Sequence, residues 1–237
     1  MYLLPGSEAP MNQSGKDFLA LLLGSEVLKF GSFKTKSGRL SPYFFNTGNF
    51  KSGAVLARVA DIYADTILEK IGSHVNNLFG PAYKGIPLAV MTAWSLARKT
   101  NRDVTFTFNR KEAKDHGEGG NLVGHTYRGD EQVVVIEDVI TGGTSFSETL
   151  PILQRNGIKP AGLIVGVDRQ ERGNIAGESA YTSICREWNL RGVSIVTISE
   201  VLQELHNREF MGKVWVDETN MQAARAYLDT YGAGCQL

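Results

Sequence analysis

Two cysteines, Cys185 and Cys235, are all that 237 residues hold; fifty positions separate them and neither belongs to a CxxC pair. That scarcity excludes a disulfide framework and a zinc ribbon, and makes a reducing compartment the default. The four histidines (His74, His116, His125, His206) show no HExxH or His-x-His spacing, so a protein-built zinc site has no support. Net charge is absent too, with 25 basic residues against 25 acidic. A chain without a basic excess lacks the broad field that drives nonspecific binding to nucleic acid or anionic membranes, so neither is expected as a partner. No run of about 18 apolar residues suggests a membrane span, and Met1 to Asn12 lacks the basic-then-apolar order of a signal peptide. The expected location is cytoplasmic.

What is present fits a globular chain of one domain over residues 1–237: 42% hydrophobic residues, 21% charged, and 26 glycines, about 11% against a usual 7%. Excess glycine points to tight turns or to backbone lying against a ligand. After an arm of thirteen residues, Ser14 reads as the cap of a helix carrying Phe18, Leu19, Leu22, Leu23 and Leu28. Phe30 to Asn46 reads as short strands with a turn at Ser41-Pro42. Ser52 opens a second helix, with Val55, Val59, Ile62, Tyr63, Ile67 and Ile71 at helical spacing.

From there strands and helices alternate. The strands are Asn77 to Phe79, Val104 to Phe108, Val133 to Glu137, Ala161 to Val167 and Val193 to Ile198. The helices are Ile86 to Lys99, Thr144 to Arg155, Ser179 to Asn189, Ser199 to His206 and Asp217 to Tyr231. Continuously apolar strands alternating with helices predict an α/β fold whose central, mostly parallel sheet is flanked by helices on both faces. Over twenty residues between Phe108 and Val133 show little periodicity, and such length inside a compact domain usually marks a functional lid. Charge and three glycines in four positions, Gly117-Glu-Gly-Gly120, predict a segment that moves.

The sharpest signal is Val133-Val-Val-Ile136, then Glu137-Asp138, then Val139-Ile-Thr-Gly-Gly-Thr144-Ser145, then a helix. Ligands of parallel sheets bind beyond the carboxyl ends of strands. Thr141 to Ser145 offers free backbone N–H groups, hydroxyls and a helix N-terminus, a means of holding one phosphate. Acids beside a phosphate cradle repel it unless they accept hydrogen bonds from sugar hydroxyls. The local chemistry leaves two readings open: a sugar-phosphate holder, or a plain strand-to-helix turn capped by Thr141 or Thr144 with exposed acids. A Walker A loop, a dinucleotide fingerprint and a nucleophile elbow all fail on inspection.

Val133 to Ser145 resembles the signature of the type I phosphoribosyltransferases. Four further blocks narrow the resemblance to the orotate phosphoribosyltransferases: Lys36-Ser-Gly-Arg-Leu-Ser-Pro-Tyr-Phe-Phe-Asn46, Phe79-Gly-Pro-Ala-Tyr-Lys-Gly-Ile-Pro87, Phe108 to Gly120, and Asp168-Arg-Gln-Glu-Arg-Gly173. The likeness spans roughly residues 14 to 210. It implies the type I fold with an N-terminal hood (about 14–50), a core (about 52–210), a long mobile catalytic loop and a C-terminal helix (about 217–231). It also implies the reaction of orotate with phosphoribosyl pyrophosphate (PRPP), with Mg²⁺ held mainly through substrate oxygens and water and no direct protein ligand.

By the same resemblance, Glu137 and Asp138 hold the ribose hydroxyls, Thr141, Gly142, Gly143, Thr144 and Ser145 bind the 5′-phosphate, and Val139 and Ile140 count among the PRPP contacts. Tyr83, Lys84 and Lys36 contact the diphosphate. Arg110, Lys111, Lys114 and His116 come from the lid, some reaching the other subunit of a homodimer. Lys114, His116 and Asp138 are the implied catalytic residues. Phe44, Phe45, Thr141 and Arg169 surround orotate, a guanidinium suiting its carboxylate bidentately. Glu137 and Gly142 depart from the aspartate and alanine common at those positions. Two rivals stand beside this reading: a phosphoribosyltransferase for another base, and a non-catalytic regulator that binds nucleic acid. The Pro-Tyr-Phe-Phe block with Arg169 weighs against the first, and the balanced charge against the second.

Overall fold

A computed structural model of the chain describes residues 10–35, 38–111, 121–140, 144–173 and 177–233, with the backbone alone at 144, 145 and 147. The first helix, α1 (Gln13–Gly24), is capped by Asn12, whose side chain accepts from Gly15 N–H at 2.8 Å. The cap expected at Ser14 is therefore corrected to Asn12. Asparagine caps at least as well as serine, and Ser14 lies inside the first turn.

β1 (Leu28–Lys34) and β2 (Leu40–Phe45) form an antiparallel hairpin that makes the N-terminal hood. The turn expected at Ser41-Pro42 is wrong: both lie within β2, and the chain reverses where Thr35 N–H donates to Arg39 O at 2.9 Å. Pro42 is tolerated because the register jumps there. Phe30 pairs with Tyr43 and Phe33 with Ser41, so Gly31 and Ser32 bulge opposite a residue that has no N–H to give.

After a 3₁₀ turn at Thr47–Asn49, α2 (Gly53–Lys70) starts at Ser52, whose hydroxyl accepts from Val55 N–H. Next come β3 (Asn77–Phe79), α3 (Gly85–Thr100), β4 (Thr105–Asn109), β5 (Leu122–Gly124), β6 (Val133–Ile140), α4 (Thr144–Arg155), β7 (Gly162–Asp168), α5 (Ala180–Glu187) and β8 (Arg191–Thr197). The chain ends with α6 (Ile198–Leu205), a two-residue hairpin of β9 (Glu209–Phe210) and β10 (Lys213–Val214), and α7 (Glu218–Tyr231). Neither β5 nor the β9–β10 hairpin was expected from the sequence. β5 converts part of the expected irregular stretch into an antiparallel edge strand on β4. It closes at Gly124, whose φ of +105° and place 2.3 Å from Phe106 O (measured to an added Cβ) no other residue would accept. The rest of the expected lid, 112–120, lies outside the described residues.

The central sheet runs β5-β4-β3-β6-β7-β8, parallel throughout except for β5. Both of its faces are covered. Leu78, Val134, Ile136, Ile164 and Val196 pack with α1, α2, α3, α6 and α7, and Phe79, Val133, Val135, Leu163 and Val165 with α4 and α5. Two-sided burial explains why these strands read as unbroken apolar runs. Strand order reverses around β3: the chain steps outward to β4 and β5, then returns to the other side of β3 as β6 and continues to β8. The crevice between the carboxyl ends of β3 and β6 is thus the topological switch point, where open α/β sheets bind ligands. Among the described residues no helix is long and apolar enough to cross a membrane.

Candidate active site

One wall of that crevice is the turn after β3. Gly80 N–H donates to Thr107 O, and Ala82 N–H to Asn109 Oδ1 at 2.9 Å, so the turn is tied to β4. Gly80 is required by close approach: a Cβ there would stand 2.2 Å from Gly85 O. The backbone lies flat on the first turn of α3, and after a cis peptide between Ala82 and Tyr83 it presents Tyr83 (67% exposed) and Lys84 to the crevice. Lys111 Nζ sits 5.4 Å from the centre of the Tyr83 ring, a cation–π pair.

The other wall is β6. Glu137 and Asp138 were expected where a strand ends in solvent, and the structure corrects this. The strand continues to Ile140, with Glu137 paired to Val165, Val139 to Val167 and Ile140 to Asp168, and both acids are more than nine-tenths buried. Asp138 tolerates burial because it is hydrogen-bonded and ion-paired. Asp138 Oδ2 lies 3.4 Å from Lys84 Nζ and accepts from the Thr47 hydroxyl, while Oδ1 accepts from Val139 N–H at 2.7 Å. Behind them the Tyr63 hydroxyl of α2 donates to Glu137 O at 2.9 Å; burial and the two carboxylates push its phenol far above its ordinary pKa, so it stays a donor. Val139 and Ile140, expected among the PRPP contacts, pair with Val167 and Asp168 in the β6–β7 ladder. The described part of the expected cradle begins with the backbone of α4 at Thr144 and Ser145, a helix N-terminus whose first N–H groups have no partner within the helix.

A second cluster forms where β7 ends against the hood. Arg169 is 6% exposed; its Nη2 lies 2.6 Å from Glu171 Oε1 and 3.3 Å from Ser41 Oγ. Its guanidinium carbon stands 5.2 Å from the Tyr43 ring and 5.9 Å from the Phe45 ring. The two phenylalanines expected together part company. Phe45 points inward to Arg169, whereas Phe44, 38% exposed, stacks on Phe33 at 5.5 Å on the other side of β2. Neighbouring strand residues face opposite ways, so the strand expected through Phe44 and Phe45 already separates them. Beside Arg169, burial raises the Asp168 carboxyl to about 6, with Gln170 N–H partly opposing and Glu200 and Glu171 adding to the rise.

The structure thus brings together Lys84 with Asp138, Tyr83 with Lys111, and Phe45 with Arg169. Arg110 sits at the mouth of the crevice, its N–H donating to Asn121 O at 2.7 Å. Lys36, Lys114, His116, Thr141, Gly142 and Gly143 lie outside the described residues. Thr47, Ser41 and Glu171 had no role assigned from the sequence. Glu171 lies within a quoted block, but nothing local signals that it meets Arg169. Among the described residues no three His, Cys, Asp or Glu side chains stand close enough to cage a metal ion.

Comparison with known proteins agrees with this geometry. A family model for the phosphoribosyl transferase domain matches residues 47–195. An orotate phosphoribosyltransferase of Lachnoclostridium phytofermentans is 44% identical over 223 residues, 94% of this chain and 99% of its own. Another, from Chromohalobacter salexigens, is 45% identical over 227 residues, 92% and 94% of the two chains. The crystal structure of the Francisella tularensis orotate phosphoribosyltransferase superimposes with a TM-score of 0.75 at 37% identity, covering 91% of this chain and 98% of that one. With the signature strand, the switch-point crevice and near-complete coverage in agreement, the chain belongs to the orotate phosphoribosyltransferases.

Proposed function

We propose that this enzyme transfers the phosphoribosyl group of PRPP to orotate, giving orotidine 5′-monophosphate (OMP) and diphosphate, a step toward uridine nucleotides. The observation that carries this reading is the meeting of Lys84 and Asp138, 3.4 Å apart, across the crevice between β3 and β6. A sugar diphosphate needs hydroxyl acceptors and diphosphate cations side by side, and this pair supplies one of each. Asp138, with Glu137, accepts from the ribose hydroxyls, and Lys84, Tyr83 and Lys36 take the diphosphate. The N-terminus of α4, with Thr141 to Ser145, takes the 5′-phosphate. Phe45 and Arg169, with Thr141, face orotate, while Phe44 lies on the opposite face of β2 against Phe33.

Displacement at the anomeric carbon builds positive charge on the ribose ring and negative charge on the departing oxygen, so catalysis is largely electrostatic. Arg110, Lys111, Lys114 and His116 neutralise the departing diphosphate, with Lys114 foremost, and the segment that bears them excludes water from the activated sugar. Its N-terminal end emerges at the site: Asn109 is bonded to Ala82, and Lys111 lies on Tyr83. Some of these side chains serve the second subunit of a homodimer. The donor chemistry suits Mg²⁺: carboxylate oxygens fit a hard cation, which would be held chiefly through substrate oxygens and water. When bound, the ion offsets diphosphate charge. A cytoplasmic location completes the reading.

The test is the loss of orotate absorbance on adding PRPP and Mg²⁺, run beside uracil, hypoxanthine and adenine. Consumption of orotate alone is expected, and no Mg²⁺-dependent change would overturn the proposal. Lys114→Ala is expected to lower kcat by about two orders of magnitude or more while the protein stays folded, and near-normal turnover would remove Lys114 from the mechanism.

A further inference from the structure

Arg169 does not wait as a free cation. Its Nη2 is committed to Glu171 and Ser41, and its Nε has no hydrogen-bond partner among the described residues although it is fully buried. Glu171, 3% exposed, is in turn held from two other parts of the chain. The Tyr227 hydroxyl of α7 donates to Oε1 at 3.1 Å, and Arg39 Nη1 of the hood stands 3.6 Å from Oε2. α7 is fastened to the same segment. Arg172 donates to Gly232 O (2.6 Å) and Asp229 O (3.2 Å), and Arg39 lies over the Tyr231 ring at 4.6 Å. Tyr227 packs edge-on against Tyr43, one of the rings under Arg169, at 5.7 Å. Burial and the neighbouring Glu171 raise the Tyr227 phenol, keeping its proton available to donate.

One carboxylate between two guanidiniums leaves a single positive charge in the trio, beside the Tyr43 and Phe45 rings, with a donor of Arg169 still to place. A buried guanidinium lacking its carboxylate would incur a large desolvation penalty and move toward water, so the acid decides where the arginine stands. We propose that Glu171, set by Tyr227 of the C-terminal helix, is the positioning residue that aims Arg169, and that the enzyme's selectivity for a carboxylated pyrimidine depends on this relay. The inference rests on the reading of Arg169 as the contact to the orotate carboxylate.

The test uses the full-length enzyme with Tyr227→Phe and Glu171→Gln, and compares binding of OMP with that of uridine 5′-monophosphate (UMP), which differ only by the carboxylate. Glu171→Gln is expected to weaken OMP binding and raise KM for orotate about tenfold, near the low end for losing one partner of a charge-assisted bond, and Tyr227→Phe about threefold, the scale of an ordinary net hydrogen bond. UMP affinity and KM for PRPP are expected to stay unchanged, and Tyr227→Phe is expected to add nothing in an Arg169→Lys background. Equal weakening of OMP and UMP, or a fall in kcat with KM unchanged, marks a merely structural tie and overturns the proposal. Unchanged OMP binding in both variants, while Arg169→Lys raises KM for orotate, overturns the relay and spares the role of Arg169. Unchanged KM for orotate in Arg169→Lys removes that role and the relay with it. Tyr227→Phe keeps the ring packing and carries the test by itself if Glu171→Gln does not fold.

Discussion

Replacing Asp168 with Asn should change how stability depends on pH. Asp168 ends β7, is 3% exposed, and accepts from Gln170 N–H at 2.8 Å. Burial lifts its carboxyl from 3.8 to about 6, with Glu200 and Glu171 pushing the same way. The nearby Cys185 thiol and Tyr181 phenol are also pushed upward, the thiol to about 12, so both stay neutral in the acid range. Between about pH 4 and 6 the native protein holds a proton that the unfolded chain has released, so stability falls as pH rises through that window and then levels off. A shift of roughly two units corresponds to a total cost of about 3 kcal/mol, of which about half, roughly 1.5 kcal/mol, is incurred between pH 5 and 7.5. Asn keeps an acceptor for Gln170 and cannot ionise. Its new amide N–H groups cost something, but that cost does not vary with pH and cancels in the comparison. Urea unfolding followed by tryptophan fluorescence at pH 5 and 7.5 should show the Asp168→Asn variant gaining about 1.5 kcal/mol on the parent between the two pH values. Parallel behaviour would show that Asp168 is ionised in the native protein near its ordinary pKa, and that the burial argument is wrong.

Gly80→Ala puts a methyl group into the Gly85 carbonyl; the turn bearing Tyr83 and Lys84 must shift, with KM for PRPP rising about tenfold and about 2 kcal/mol of stability lost, read by steady-state kinetics and thermal melting. Thr47→Val removes the hydroxyl that Asp138 accepts from without changing shape, and should cost about 1–2 kcal/mol in urea unfolding; no change would mean that water replaces the hydroxyl. Phe146→Ala empties a fully buried position between α4 and the sheet and should cost about 3–5 kcal/mol in the same assay, whereas a loss under about 1 kcal/mol would mean that the layer collapses to fill the space.

Some elements were fully legible in the sequence. β3 and α4 have the bounds expected, and α2 begins at its expected cap, because apolar periodicity and N-cap chemistry are local properties. Apart from the helix cap at Asn12, whose partner is three residues away, the misreadings share a cause: they depended on partners far along the chain. Glu137 and Asp138 look like a strand's exit to water unless Thr47, Tyr63 and Lys84 are known to meet them. Pro42 looks like a turn unless Gly31 and Ser32 are known to bulge opposite it. β5 is only three residues long and exists because β4 offers it an edge. Within the candidate site, the motif blocks marked Lys84, Asp138 and Arg169, but Glu171 and Tyr227 stand 56 positions apart and no spacing rule joins them.

The pairing of β4 with β5 has a mechanical meaning beyond edge protection. Arg110 and Asn121 are clasped at 2.7 Å below the ten residues between them, and three ladder pairs back the clasp. Such a clasp fixes the mouth of a chain segment independently of what the segment contains. Closure entropy grows only as the logarithm of length, so doubling those ten residues would cost about 0.6 kcal/mol. The fold therefore places few demands on the chemistry carried there. Charge, glycine content and length in that stretch are free to follow the reaction, while the hairpin alone answers for stability.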